Sequence, residues 1–345
     1  MRAVLFSEHG SADVLHYIAD HPTPEPKPGE VRLRVRAAAL NRLDIWVREG
    51  WPGLKLPLPS IPGADAAGDI DALGTGVTGW EVGTPVVIDP MLSCGVCEMC
   101  LAGRQNLCRT AGSGIIGEDS SGTYAEYFCV STRNLYRLPQ GFDYGLAAAG
   151  SLAYITAWHS LITKAELRPG QTVLIVGAGG GVNSASIEIA KLAGATVYVV
   201  GSNAEKIAQA KQLGADVVID RSAEDWSKAV YKLTNKRGVD VVVDNVGKET
   251  IFGSIRSVRD GGKILIVGNT SGPITEIDLR YIFRKQISII GSTMAPHADF
   301  AAVMEQIIAG RLKPIIGARF PLEQAAAAQR ALEAGNVFGK IVLDV

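Results

Sequence analysis

From about Gly150 onward, compact apolar runs recur with helical text between them, and this alternation restricts the fold more than any other feature of the chain. The runs are "TVLIVG" (Thr172 to Gly177), "TVYVV" (Thr196 to Val200), "VVID" (Val217 to Asp220), "VDVVVDNV" (Val239 to Val246), "KILIVG" (Lys263 to Gly268) and "ISIIG" (Ile287 to Gly291). Most of their residues are β-branched, which suits strands buried on both faces. Between the first two runs, Val182, Ala185, Ile189 and Leu192 fall at helical spacing. Strands that alternate with helices in this way predict an α/β fold built on a doubly wound parallel sheet.

The N-terminal text is different. In "VRLRVRAAAL", Val31, Leu33 and Val35 alternate with Arg32, Arg34 and Arg36, the period of a strand with one wet face. Short apolar runs broken by Gly and Pro follow as far as about Tyr136 and predict an irregular, mostly β domain. A chain of 345 residues exceeds what one hydrophobic core usually supports. The expected division is therefore a mostly β domain over 1–150 and a doubly wound sheet domain over 151–291, with a helical stretch and closing strand, 292–345, returning to the first.

Charge is almost balanced, with 34 Lys plus Arg against 35 Asp plus Glu, and neither sign is concentrated in a run. That argues against nucleic acid or an anionic membrane as the main partner. The opening "MRAVLFSEHG" turns polar by Ser7, and no stretch approaches the roughly 18 apolar residues of a membrane helix. The expectation is a soluble cytoplasmic protein that acts on a small molecule. Five cysteines, four of them clustered, agree with a reducing compartment, and the lone Cys129 is expected to be a buried small hydrophobe.

"VLIVGAGGGVNSASIEIAKLAGA" sets Gly177, Gly179, Gly180 and Gly181 between a strand and a helix. Glycines there let the backbone turn tightly and approach a pyrophosphate, whose charge meets the unpaired N–H groups of the helix start, with Val182 following. The G-x-G-x-x-G fingerprint is imperfect: with Gly180 as its second glycine, Ala178 stands first and Asn183 last. Asn183 is expected to loosen the packing of helix on strand slightly. The second strand ends in Gly201, Ser202 and Asn203 with no carboxylate to repel a phosphate. Ser202 and Asn203 can donate hydrogen bonds. Lys206 is either a charge for the phosphate or a solvated helix lysine, and NADP(H) is the expected cofactor. Asn245, Val267, Gly268 and Asn269 lie at the ends of the fourth and fifth strands, where ligands gather on open parallel sheets.

Cys94, Cys97, Cys100 and Cys108 are spaced C-x2-C-x2-C-x7-C, and Gly95 and Gly103 allow the turns between them. Four thiolates at this spacing can close around one tetrahedral zinc with no position left for substrate. An iron–sulfur centre is the competing use of such a cluster.

With this lobe in place, the chain resembles the zinc-containing medium-chain dehydrogenase/reductase superfamily. The resemblance is carried by "LNRLDIWVREG" (Leu40 to Gly50), "IPGADAAGDI" (Ile61 to Ile70), "GTYAEY" (Gly122 to Tyr127), "LAYITAWHSL" (Leu152 to Leu161), the lobe, the glycine turn and "GKIVLDV". It implies a GroES-like catalytic domain beside the Rossmann domain. In the alcohol-oxidising branch a catalytic zinc is held by Cys, His and Cys. The resemblance sets those ligands against Asn41, Ala64 and Leu152, none of which is a normal zinc ligand.

The chain is thus similar to the quinone oxidoreductase-like branch, which transfers hydride to acceptors that carry their own electron sink. Asn41, Asp44 and Thr156 are the candidate catalytic residues. Asn41 either donates to the substrate oxygen or fixes a turn, and Thr156 matches a position that touches nicotinamide in relatives. Related reductases often carry Tyr where Trp46 stands, and Trp46 can line an apolar mouth but not supply a proton. Lys340 matches a position near the cofactor. A homodimer or homotetramer is implied, joined through "ISIIG". The expected function is NADPH-dependent reduction of a quinone, enone or enoyl thioester. The alternatives are an alcohol or aldehyde dehydrogenase with an atypical metal site and a non-catalytic NADP-binding protein.

Overall fold

The computed structural model describes residues 1–110 and 114–345. Two compact units emerge: Met1–Ile155 together with Met294–Val345, and Thr156–Thr293.

The first unit is organised by a seven-stranded sheet. Its strands lie in the order Ile316–Pro321, Lys340–Asp344, Glu30–Ala39, Asp65–Leu73, Pro85–Ile88 and Leu135–Arg137, and Tyr127–Ser131 also pairs with Glu30–Ala39. The arginine alternation does what its period requires. Val31, Leu33 and Val35 are buried while Arg34 and Arg36 face solvent, and Arg36 Nε reaches Asp69 Oδ2 on the next strand at 2.8 Å. Lys340–Asp344 runs antiparallel to Glu30–Ala39, with Val342 opposite Ala39, so the C-terminus is built into the N-terminal sheet. Sequence reasoning anticipated only helix and a closing strand after Gly291 and missed Ile316–Pro321. Half-buried residues alternate there with exposed Gly317, Arg319 and Pro321, and no apolar run marks the strand.

Helix Arg42–Glu49 follows the longest strand and is pinned by Arg48, whose side chain is buried. Its guanidinium donates to Gly10 O, Gln329 Oε1 and Glu333 Oε1 at 3.0, 2.9 and 2.6 Å. Those contacts tie the helix to Ala325–Ala334, near the C-terminus.

In the second unit the six runs form β1 (Thr172–Val176), β2 (Thr196–Gly201), β3 (Val217–Asp220), β4 (Val239–Asp244), β5 (Val258–Ile266) and β6 (Ser288–Gly291). Every pairing is parallel and the order is β3-β2-β1-β4-β5-β6. Leu174, Val200, Val242 and Ile264 are in its core. Helix α1 (Gly181–Leu192) links β1 to β2, and α2 (Ala204–Gln212) links β2 to β3. The fold thus comprises the expected doubly wound sheet and a mostly β unit. The chain reverses its direction of travel across the sheet between β1 and β4, the point where such sheets collect ligands beyond their carboxyl ends. Among the described residues no helix is long and apolar enough to cross a membrane.

Candidate active site and metal centre

At the reversal point, β1 runs through Gly177, Ala178 and Gly179 into Gly180, the N-cap of α1. Gly180 has φ +88°, a conformation that L side chains rarely adopt, and nothing stands within 4 Å of where its Cβ would be. No side chain caps the helix, so the first-turn N–H groups of Gly181 and Val182 remain for an anion. This arrangement fits a dinucleotide pyrophosphate. Asn183 departs from the expectation of looser packing. It is buried, accepts a 2.8 Å bond from Asn245 Nδ2, and its own Nδ2 lies 2.6 Å from the position of a Cβ on Gly177. The missing third glycine has been replaced by a tether between α1 and the end of β4.

The neighbouring strand ends are equally ordered. Asp244 is fully buried and accepts from the backbone of Val246 and Gly247 and from the hydroxyls of Thr250 and Ser254. That shapes the turn carrying Asn245. Val267 donates to Asp244 O at 2.9 Å, which brings Val267, Gly268 and Asn269 beside it. At the tip of β2, Ser202 and Asn203 are exposed. Asn203 caps α2 by accepting from the Lys206 N–H at 2.9 Å, while the Lys206 side chain lies against Gly179. A Cβ on Gly201 would fall 2.5 Å from Ile207 Cγ1, so a new side chain is better placed at the exposed Ser202.

The first unit holds a second cluster, around Asn41. Asp65 is fully buried and accepts from Leu152 N at 2.9 Å through Oδ1, and from Asn41 Nδ2 at 2.9 Å and Lys340 Nζ at 3.1 Å through Oδ2. Lys340, 3% exposed, also donates to Leu40 O at 2.7 Å and Asn41 Oδ1 at 2.5 Å. Both ends of the Asn41 amide are therefore engaged within the cluster. Asp44 accepts from the Asn41 N–H and from the Tyr124 hydroxyl, both at 2.8 Å, and so covers the start of helix Arg42–Glu49. Burial pushes its carboxyl up to about 7, against the pull of those two donors, and burial likewise holds the Tyr124 hydroxyl in its protonated, donating form.

The cysteine lobe is a short helix, Glu98–Leu101, and a turn, Gln105–Leu107. The four Sγ atoms lie within 4.8 Å of one another. Cys94 to Cys100 is 3.9 Å and Cys97 to Cys108 is 3.8 Å. A tetrahedron with Zn–S bonds of about 2.3 Å has edges of roughly 3.8 Å, so the set fits zinc. Backbone N–H groups aimed at Cys94 lower its thiol to about 6, while burial raises Cys100 to about 11. Gly95 takes φ +76°, and Arg133 Nη1 crosses it to donate to Cys94 O at 2.8 Å.

Models of known families match both halves of the chain. Residues 27–140 match the alcohol dehydrogenase GroES-like domain and residues 181–309 the zinc-binding dehydrogenase domain. The NAD-dependent alcohol dehydrogenase of Saccharolobus solfataricus is 32% identical over 357 residues, covering 99% of each chain. The chain belongs to the medium-chain dehydrogenase/reductase superfamily. This oxidoreductase is also 29% identical to human quinone oxidoreductase, over 99% of its own length and 97% of the relative's. A solved NAD-dependent alcohol dehydrogenase superposes with a TM-score of 0.96 at 46% identity, each chain fully covered.

The dehydrogenase/reductase brings its expected residues together in two places. Gly179, Gly180, Gly181, Val182, Ser202, Asn203, Lys206, Asn245, Val267, Gly268 and Asn269 all belong to the second unit, at or just beyond the carboxyl ends of β1, β2, β4 and β5. Thr156 is in that unit too, buried, with its carbonyl accepting from Ser160 Oγ at 2.7 Å. Asn41, Asp44 and Lys340 are in the first unit. Lys340, expected beside the cofactor, has all three N–H bonds committed to Leu40, Asn41 and Asp65. Sequence reasoning gave neither Asp65 nor Tyr124 a role. The available signal was charge: a Lys and an Asp inside two otherwise apolar segments, "FGKIVL" and "IPGADAAG". Cys129 is half-buried rather than buried, and desolvation raises its thiol to about 11, which leaves it unreactive at neutral pH.

Replacing Cys97 by Ser should lower bound zinc and thermal stability together, since metal binding and folding of the lobe are coupled; elemental analysis beside a melting curve reads both. Asp44 gives a pH signature. Its folded-state value of about 7 lies above the roughly 3.9 of an unfolded Asp, so the proton it holds favours folding below about 4, and that contribution is lost as pH rises through 7. Asp44→Asn keeps an acceptor for Asn41 and Tyr124 without the charge. Its stability relative to the parent should therefore grow between pH 4 and 7, by up to about 4 kcal/mol, and then level off. Urea unfolding at several pH values measures this, and parallel profiles would contradict it.

Proposed function

We propose that this oxidoreductase reduces activated double bonds, those of quinones, enones or enoyl thioesters, with NADPH and without a catalytic zinc. The observation that carries this reading is the Asn41 cluster. Asn41, Ala64 and Leu152 offer no Cys or His, and the oxygens of Asn41 and Asp65 are already engaged by the Lys340 ammonium. Oxidation of an alcohol needs a metal or strong base to take the hydroxyl proton, whereas a conjugated acceptor has its own sink for charge. Bound NADPH would supply the hydride, and the acceptor's own carbonyl would take up the displaced alkene electrons until a proton from water completes the reduction. The uncapped start of α1 supports binding of the pyrophosphate. Ser202, Asn203 and Lys206 at the tip of β2 support accommodation of the extra phosphate, since no carboxylate stands there to repel it.

Asn41, Asp44 and Thr156 remain the residues proposed to serve catalysis. For Asn41 the role is positioning, because both ends of its amide are bonded. Trp46, Trp51 and Leu58 are exposed and supply apolar surface to the first unit. The edge strand β6, with Ile289 exposed, is proposed to pair with a second copy.

A second reading, oxidation of an alcohol with NAD, is favoured by the names of two of the three relatives above. The two readings separate in one assay. Purified protein should oxidise NADPH with quinones or conjugated carbonyls, and should give negligible rates with simple alcohols and either oxidised cofactor. Alcohol turnover that matches the best enone and depends on added metal would establish the second reading instead. Ser202→Asp should shift preference from NADPH towards NADH by charge repulsion, read as the ratio of the two dissociation constants; an unchanged ratio would remove the β2 tip from cofactor selection. Light scattering at micromolar concentration should give a dimer or tetramer, and a strict monomer would refute the pairing of β6.

A further inference from the structure

The geometry around Lys340 points to a cage for a singly charged cation. We propose that Leu40 O, Asn41 Oδ1 and Asp65 Oδ2 form a primary-ammonium site, and that the Lys340 side chain is its built-in occupant. A small alkylammonium ion should bind there once that side chain is cut back. The inference rests on the first unit alone and holds whichever acceptor the enzyme reduces.

Three features support it. An ammonium has three N–H donors and no acceptor, and the cage supplies three oxygens at 2.7, 2.5 and 3.1 Å from Nζ. Each distance falls within or close to the hydrogen-bond range. The oxygens are fixed independently of the lysine. Leu40 N donates to Ile341 O at 2.9 Å, Asn41 Nδ2 to Asp65 Oδ2 at 2.9 Å, and Leu152 N to Asp65 Oδ1 at 2.9 Å. The charge count also selects. One carboxylate and two neutral carbonyl oxygens are neutralised by a monocation, whereas a divalent metal would leave a net charge buried, which is costly. The donor set, all oxygen with no His or Cys, is equally unsuited to zinc.

The cage therefore holds a cation that is covalently tethered, cannot be chelated, and is matched in charge by the Asp65 carboxylate. It also fixes the Asn41 amide, because its oxygen must face the ammonium and its nitrogen the carboxylate.

Lys340→Ala tests this directly, since it removes the three methylenes and the ammonium that together amount to n-propylammonium. The variant should melt on the order of 10 °C lower, because it leaves Asp65 buried and unpaired. Millimolar n-propylammonium chloride should restore most of that loss saturably. Neither 1-propanol, which fills space without charge, nor tetramethylammonium chloride, which carries charge without N–H groups, should do so. Full restoration by 1-propanol would show that the lysine only fills volume and would overturn the proposal, as would an unchanged melting temperature. If Lys340→Ala does not fold, Lys340→Met with Asp65→Asn serves instead. The double variant should melt above Lys340→Met alone, because the unpaired carboxylate has gone; an equal or lower value would refute the charge pairing.

Discussion

The buried pair between Lys340 and Asp65 is the constraint on which the first unit's centre depends. A pair this deep is not a strong stabiliser compared with apolar residues of the same volume, because both charges give up water. Its effect is on position. Lys340 opens the C-terminal strand, Asp65 opens the strand Asp65–Leu73, Asn41 precedes the helix Arg42–Glu49 and Leu152 opens the helix Leu152–Trp158. Breaking any contact leaves a charge or polar group unpaired, so these four segments have one low-energy arrangement. Asp44 and Tyr124 extend it with a carboxyl that stands near half-protonation at neutral pH.

In the second unit the same task falls to hydrogen bonds without net charge. Asn183 and Asn245 join α1 to the end of β4, and the hydroxyls and backbone around Asp244 fix the following turn. The glycine turn is left as the place where the backbone exposes donors without a side-chain partner. Rigid strand ends beneath a turn with free N–H groups are what an anionic cofactor needs, because little order has to be imposed when it binds.

Most of the fold was legible because it is written in period and composition. The six apolar runs became six parallel strands, and the alternation from Val31 to Arg36 became a strand with one wet face. Strand Ile316–Pro321 was not legible, since it sits at the sheet's margin and only half buries its residues. At the candidate site, the cysteine spacing and the glycine turn could be read because their ligands lie close in sequence. The Lys340 cage could not, because it joins residues 275 and 299 positions apart through side chains that look unremarkable one at a time. Asn183 shows the same limit from the other direction. A departure from a fingerprint reads as weaker packing until its bonding partner, 62 residues away, is known.

The two cationic centres of the first unit follow from different donor chemistry. Four soft sulfurs on a lobe of about fifteen residues suit zinc, and the lobe has little apolar core of its own to hold it otherwise. Three hard oxygens, one of them charged, suit an ammonium that the chain itself provides. Zinc bound at the cysteines leaves no open position for a reactant, and the lysine cannot be exchanged for a Lewis acid without leaving buried charge. The cation near Asn41 is therefore fixed in place and already paired with Asp65. A centre so built holds Asn41 and the start of its helix in place, and its oxygens, committed to the ammonium, are not free to bind a metal that would lower the pKa of an alcohol. The proposed reduction of acceptors that contain their own electron sink asks no more of the centre than that.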